Sequence, residues 1–312
     1  MTIVQLEYIM AVDEKRSFTK AAEICHVTQP TLSMQIQKLE DELGIVIFDR
    51  YKSPLEPTKV GKIIISKARK IIREFNGIKE YLTNEKGKLS GQFRIGIIPT
   101  LAPYLVPLFL PDFVKQHPDS KLIIEELQTE TIIDYLQKDR IDLGIAVTPL
   151  EEKELKEIPI FNEPIYGYVS TDHPLFKKER LSESELENAK LWLLNQGHCF
   201  RNQALKICNQ NQLDTQNMEF IYESGSIETL KNMVNISSGI TLIPALAAFS
   251  NINDFNMVKK FEAPEPLREV SFIVNKGYLK DNLIKELRKS IIEKIPEEYT
   301  IKYKNGRVIH WR

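Results

Sequence analysis

The chain has 312 residues, 42% apolar and 27% charged, with 13 Gly and 16 Pro. That balance excludes collagen-like and disordered classes and leaves room for two or three domains. A formal net charge of -1 removes any whole-chain electrostatic argument for nucleic-acid binding, and three cysteines are too few for a secreted disulfide framework. No apolar run reaches the roughly 18 to 20 residues that span a bilayer. The first residues carry Glu7, Asp13 and Glu14 where a signal peptide needs basic and then apolar residues, so a cytoplasmic location without membrane contact is expected.

In chain order, Ile3, Leu6, Ile9, Met10 and Val12 give a first helical stripe. Ser17 reads as the cap of a short second helix carrying Ala21, Ala22 and Cys25, and His26 falls in the turn that follows. Cys25 is expected in the core and His26 in a structural role. Thr28 reads as the cap of a third helix, with Pro30 in its first turn, Leu32, Ile36, Leu39 and Leu43 on one side, and Gly44 at its end. Two short helices joined by a tight turn are a helix-turn-helix. Ile45 to Phe48 and Pro54 to Pro57 suggest a two-stranded wing, with Arg50, Tyr51, Lys52 and Ser53 at its tip.

The outer face of the third helix presents Gln29, Thr31, Ser33, Gln35, Gln37 and Lys38. Amides pair with adenine edges, hydroxyls bond phosphates, and threonine methyls pack on thymine. A plainly solvated face is the rival reading. Charge does not decide between them, because acidic residues outnumber basic ones over residues 1–58. Over residues 59–90 the balance reverses, with Lys59, Lys62, Lys67, Arg69, Lys70, Arg73, Lys79, Lys86 and Lys88 against Glu74, Glu80 and Glu85. Val60, Ile64, Ile71, Phe75, Ile78 and Leu82 form a helical stripe through this stretch, too long to stay without a partner, so a dimerising linker helix is predicted.

Past Gly91 the pattern alternates. Strands are predicted at 93–98, 121–127, 141–147, 164–170, 191–194, 219–222 and 270–274, and helices at 104–116, 131–137, 201–208 and 227–235. Alternation implies parallel sheets with helices on both faces. No GxGxxG or P-loop sequence occurs, so no nucleotide cofactor is expected. His173, His198, Cys199 and Cys208 do not make a zinc ligand set, so no metal is expected.

The run SFTKAAEICHVTQPTLSMQIQKLEDELGIVIFDR, residues 17–50, resembles the winged helix-turn-helix of LysR-type transcriptional regulators, and the resemblance continues along nearly the whole chain. It implies a winged helix-turn-helix DNA-binding domain over 1–58, all-α apart from its small β wing. A linker and dimerisation helix follows over 59–90, then an α/β regulatory domain over 91–312. That domain is expected to hold two periplasmic-binding-protein-like subdomains, I at about 92–162 with 267–296 and II at about 163–266. The implied DNA-contacting set is Thr28, Gln29, Pro30, Thr31, Ser33, Gln35, Gln37, Lys38, Arg50, Lys52 and Ser53. The implied partners are double-stranded promoter DNA, RNA polymerase and further copies of the chain, as a tetramer built from dimers.

A narrower resemblance joins GHCFRNQALKIC, residues 197–208, and the 226–245 stretch to the peroxide-sensing members of that family. It implies a transcriptional activator of antioxidant genes rather than an enzyme. Hydrogen peroxide is the implied signal, Cys199 the peroxidatic thiol, Cys208 the resolving thiol, and cytosolic thiols the reductants. Cys199 is expected to be accessible and acidified by Arg201 or by the helix that starts beside it, with His198 bonding the sulfur or an incoming oxygen. The resemblance carries hydroxyl roles to Thr100 and Thr129, at the carboxyl ends of two strands. If 200–208 is helical, its nine residues hold the sulfurs roughly 13 Å apart along the axis, so the helix must open before a disulfide closes. Two other readings stay open: a LysR-type regulator whose cleft takes a small metabolite, and a thiol peroxidase.

Overall fold

The computed structural model describes residues 1–84, 89–187, 189, 191–209, 224–248, 256–276, 281–299 and 306–312; within the fourth helix, the side chains of 76, 77 and 79–84 are not described. The predicted strand at 219–222 and the side chain of Leu82 lie outside what is described. The chain forms two compact units, Met1–Gly87 and Lys88–Arg312.

In the first unit, α1 (Ile3–Lys15), α2 (Phe18–Ile24) and α3 (Gln29–Leu43) start where the sequence caps them. Thr2 and Gln5 close a capping box, and the Ser17 and Thr28 hydroxyls accept from the backbone N–H groups of Lys20 and Thr31. Gly44 ends α3 at φ 66°, a conformation that favours glycine. Leu32, Ile36 and Leu39 are buried against α1 and α2, whereas Leu43, expected on the same stripe, is exposed at the helix end. Cys25 is half-buried, packed at the edge of this core. The wing is shorter than predicted: β1 (Phe48–Asp49) and β2 (Glu56–Pro57) pair antiparallel.

The helix α4 (Lys59–Asn84) has two apolar faces. Ile65, Ala68 and Ile72 are buried in the core built on α1, Ile64 packs beside them, and Arg69 donates to Asp13 Oδ2 at 2.5 Å. Val60, Ile71, Phe75 and Ile78 are exposed.

The second unit holds β3 (Gly91–Ile97), α5 (Ala102–Gln116), β4 (Ser120–Glu126), α6 (Thr129–Gln137) and β5 (Leu143–Thr148). There β3 lies parallel between β4 and β5, with α5 and α6 as the crossovers. Next come β6 (Leu155–Val169), β7 (Arg180–Leu181), β8 (Leu191–Trp192), α7 (Cys199–Ile207), α8 (Ile227–Ile236), β9 (Ile240–Pro244) and α9 (Ala245–Ala248). Last are β10 (Val258–Phe261), β11 (Glu265–Asn275), α10 (Asp281–Ile292) and β12 (Gly306–Val308).

The sheet is mixed rather than parallel. Strand β11 runs antiparallel to both β5 and β6, and β6 runs antiparallel to β9 and β10. Sequence alternation missed this because β6 and β11 are long enough to carry the chain from one half of the unit to the other and back with no crossover helix. The predicted strand at 164–170 is only the second half of β6. Its first half carries Lys156, Glu157, Asn162 and Glu163, which broke the apolar pattern.

Candidate functional site

On α3, Thr28, Gln29, Pro30, Thr31, Gln37 and Lys38 are exposed, while Ser33 and Gln35 are half-buried. The Gln35 side-chain oxygen and its backbone carbonyl both accept from Gln5 Nε2, at 3.3 and 3.4 Å, so this residue is tied inward. At the wing, Arg50, Lys52 and Ser53 are exposed. Arg50 bonds Glu40 Oε2 at 3.1 Å and lies over the Phe18 ring, and Lys52 bonds Glu56 Oε2 at 2.7 Å. Glu40 is a residue that sequence reasoning passed over. It is buried, and its Oε1 accepts from the backbone N–H groups of Ile47 and Phe48 at 2.6 and 3.2 Å, joining α3 to the wing.

In the second unit, Cys199 is the first residue of α7 and Cys208 is its C-cap, and both are free thiols. Nine residues of helix separate them by about 13 Å along the axis, against the roughly 4.4 to 6.8 Å between Cα atoms that a disulfide tolerates. Contrary to the sequence expectation, Cys199 is not accessible: it is 4% exposed. Burial pushes its thiol up. Three influences oppose that rise: the Arg268 charge first, then the Thr129 hydroxyl, then the backbone N–H groups that open α7. Cys208 is fully buried, and burial, with Glu183 adding to it, pushes its thiol up to about 12.

The cation whose charge acts on the thiol is therefore Arg268, from the first half of β11, and not Arg201. The Arg201 guanidinium donates through Nη1 to the Leu194 carbonyl at 2.7 Å, tying the start of α7 to the segment after β8. Arg268 was missed because its partners are remote in sequence. Its Nε and Nη2 meet Glu163 Oε2 at 2.9 and 2.7 Å. Nη1 donates to Thr100 Oγ1 at 3.0 Å, and Nη2 also donates to the Thr100 carbonyl at 3.1 Å. The guanidinium lies 5.5 Å from the Phe200 ring centre. Glu163 completes its pairing through Oε1, which accepts from Leu246 N at 2.8 Å. Glu163 and Arg268 are only two of several charged residues along β6 and β11, so nothing local in the sequence singles them out as a pair.

Thr100, in the turn after β3, is buried, and accepting from Arg268 leaves its own hydrogen to donate. Thr129 opens α6 and is buried, and its Oγ1 has no hydrogen-bond partner among the described residues. Its hydroxyl is near enough to favour the Cys199 thiolate. His198 is buried and burial lowers its pKa, so it is neutral at pH 7. Its Nε2 sits over Gly225, where an added Cβ would come within 3.2 Å. Gly197 has φ 93°, and a Cβ there would stand 2.8 Å from Gln128 Oε1, so the loop before Cys199 needs glycine. Arg268 thus links the turn after β3, through Thr100, to the start of α7, through Phe200, and its charge and the Thr129 hydroxyl both act on the Cys199 thiol.

Residues 3–62 match the family described as the bacterial regulatory helix-turn-helix protein, lysR family, and residues 86–296 match the LysR substrate binding domain. The hydrogen peroxide-inducible genes activator of Dickeya chrysanthemi is 37% identical over 89% of this chain and 90% of its own length. The DNA-binding transcriptional dual regulator OxyR of Escherichia coli K12 is 36% identical over 89% and 90%. The solved structure of full-length OxyR C199D from Pseudomonas aeruginosa superposes with a TM-score of 0.78 at 34% identity, covering 93% of this chain and 97% of that one. The chain belongs to the LysR family of bacterial helix-turn-helix regulators, and within it closely resembles OxyR.

Proposed function

We propose that the protein is a hydrogen-peroxide-sensing, DNA-binding transcriptional activator, switched by a reversible disulfide between Cys199 and Cys208. One observation carries this reading: a buried thiol at a helix N-terminus under the influence of Arg268 and Thr129, with Thr100 bonded to that same guanidinium and a second thiol at the other end of the same helix. The printed names of the relatives support it.

In the first step the Cys199 thiolate attacks one peroxide oxygen and the O–O bond breaks. The departing hydroxide takes a proton to become water, and Cys199 is left as a sulfenic acid. Arg268 favours the thiolate, and the Thr100 and Thr129 hydroxyls orient the peroxide and donate to the leaving oxygen. In the second step α7 opens, the Cys208 sulfur attacks the Cys199 sulfur, and the S–O bond breaks. The hydroxide released leaves as water with the Cys208 proton. Overall, two thiols and one peroxide give one disulfide and two waters. A cytosolic dithiol reverses the bond by exchange.

Exchanging one fold of this segment for another is the two-state element that repositions the DNA-reading heads. The chain acts as a tetramer, paired in part through the exposed Val60, Ile71 and Ile78 of α4. Thr28, Gln29, Pro30, Thr31, Ser33, Gln37 and Lys38, with Ser53 of the wing, face promoter DNA. Arg50 and Lys52 join them after exchanging carboxylate partners for phosphates. RNA polymerase is the downstream partner.

The test is peptide mass spectrometry after one equivalent of peroxide. Linked Cys199 and Cys208 peptides are expected, with loss of the response in Cys199→Ser while DNA binding persists. Unlinked thiols, or a response retained in Cys199→Ser, overturn the proposal, the latter in favour of a metabolite-sensing cleft.

A further inference from the structure

Helix α7 is gripped along one face by a segment far away in sequence. Asn202 Nδ2 donates to the Trp311 carbonyl at 3.3 Å, Gln203 Nε2 to the Ile309 carbonyl at 2.6 Å, and Lys206 Nζ to the Arg312 carbonyl at 2.8 Å. Asn202 and Lys206, at i and i+4, stand one above the other on α7, and Gln203, three positions before Lys206, flanks them on the side turned into the core. Gln203 is fully buried and its Oε1 has no partner among the described residues. Its amide is committed to the Ile309 carbonyl at the cost of an unsatisfied oxygen.

The same segment is anchored on its other side. Strand β12 pairs with β11, and Ile309 N donates to the Leu267 carbonyl at 2.8 Å, next to Arg268. Trp311 is buried and its Nε1 donates to the Val147 carbonyl in β5 at 3.2 Å. Arg312 meets Glu152 Oε1 at 3.2 Å, Glu130 Oε1 at 2.6 Å and the Leu150 carbonyl. Glu130 follows Thr129 at the start of α6. Residues 306–312 thus tie β5, α6 and β11 to the helix that carries both thiols. They lie beyond the 86–296 family match.

We propose that residues 309–312 brace α7 in its helical form and thereby raise the peroxide level at which Cys199 and Cys208 become joined. The inference rests on the disulfide reading above. The three side-chain bonds exist only while 202, 203 and 206 keep helical register. Opening the helix gives them up, so they weigh against the second chemical step and leave the first, attack on peroxide, unchanged. Asn202, Gln203 and Lys206 are positioning residues on this account.

The experiment uses the full chain carrying Asn202→Ala and Lys206→Met, both at exposed positions. One equivalent of peroxide is added, samples are quenched with an alkylating reagent over time, and peptides are quantified for Cys199 sulfenic acid and for the linked pair. Sulfenic acid is expected to form at the unsubstituted rate, while linkage runs about tenfold faster, from two lost hydrogen bonds. The equilibrium against a dithiol reductant shifts toward disulfide by a similar factor. Each single substitution gives about threefold, so the test survives misfolding of the double variant, and Lys206→Arg, which keeps a donor, stays near the unsubstituted rate. Equal linkage rates in the single or double variants and the unsubstituted chain overturn the brace. Absence of linkage in the unsubstituted chain overturns the disulfide reading, and the brace with it.

Discussion

Arg268 Nη2 and Glu163 Oε2 stand 2.7 Å apart, and neither side chain has any exposed surface. Strand β11 supplies the cation and β6 the anion, at the place where the two strands carry the chain between the halves of the regulatory unit. A pair buried this deeply holds only because both ions have partners besides each other, Arg268 in the Thr100 hydroxyl and carbonyl and Glu163 in the Leu246 N–H. The ion pair therefore fixes the guanidinium that Cys199 and Thr100 share.

Arg268→Met should cost about 3 to 5 kcal/mol of stability, because it leaves the Glu163 carboxylate buried without a counter-charge. Adding Glu163→Gln should restore much of that loss, since a neutral amide needs no cation. Peroxide oxidation of Cys199 should stay slow in both variants, because the charge favouring the thiolate is gone. Urea denaturation and stopped-flow oxidation separate the two effects; a fast-oxidising double variant would show that Arg268 only builds the fold.

Thr129→Val tests the buried hydroxyl. Removing a buried O–H with no hydrogen-bond partner among the described residues should leave the melting temperature unchanged or slightly raised. If the hydroxyl serves the peroxide, the oxidation rate of Cys199 should fall by about ten- to a hundredfold, the loss of one positioned donor. Unchanged kinetics would assign Thr129 to packing alone.

Features set by neighbours in sequence were readable, and those set by distant partners were not. Ser17, Thr28 and Gly44 act within a few residues, so their caps followed from spacing. The exposed apolar face of α4 was visible as a stripe, although Ile64 turned out to pack inward. Sequence spacing points to Arg201, two positions from Cys199, whereas the charge that acts on the thiol is that of Arg268, 69 positions beyond the cysteine. The burial of Cys199 was likewise invisible, since it comes from packing of the whole unit. Nothing in Ile309, His310, Trp311 and Arg312 marks a motif, and their hold on α7 appears only once the chain is folded.

The pH dependence follows from the raised Cys199 pKa. At neutral pH the thiol lies below its titration, so the reactive thiolate increases about tenfold per pH unit. The rate of sulfenic acid formation should rise with that slope from pH 6 to 8, as measured by stopped flow. A flat profile across that range would mean a thiolate already formed at pH 6, contrary to burial raising the thiol. Stability moves the other way. Burial pushes the Cys208 thiol of the folded chain up to about 12, above the ordinary range of a free cysteine, so the folded state holds its proton more tightly. Its contribution is complete below about pH 9 and is lost as pH rises toward 12. Cys208→Ser should flatten that alkaline decline.

The DNA-reading unit offers a last contrast between positioning and contact. Glu40 holds two wing backbone N–H groups and Arg50, so Glu40→Ala leaves buried donors unpaired and should cost about 2 to 3 kcal/mol in the first unit. Because α3 and the wing then lose their fixed relation, affinity should fall for every promoter sequence alike. Lys38→Ala should leave stability intact and lower the slope of log affinity against log salt by about 1 per chain, the signature of one lost phosphate contact. Gln29→Ala should keep the salt slope and weaken discrimination at one base position by about 1 to 3 kcal/mol. Fluorescence anisotropy across a salt series, on the promoter and on single-base variants, distinguishes the three. A Gln29→Ala variant that changed the salt slope but not the base preference would move that residue from the bases to the backbone.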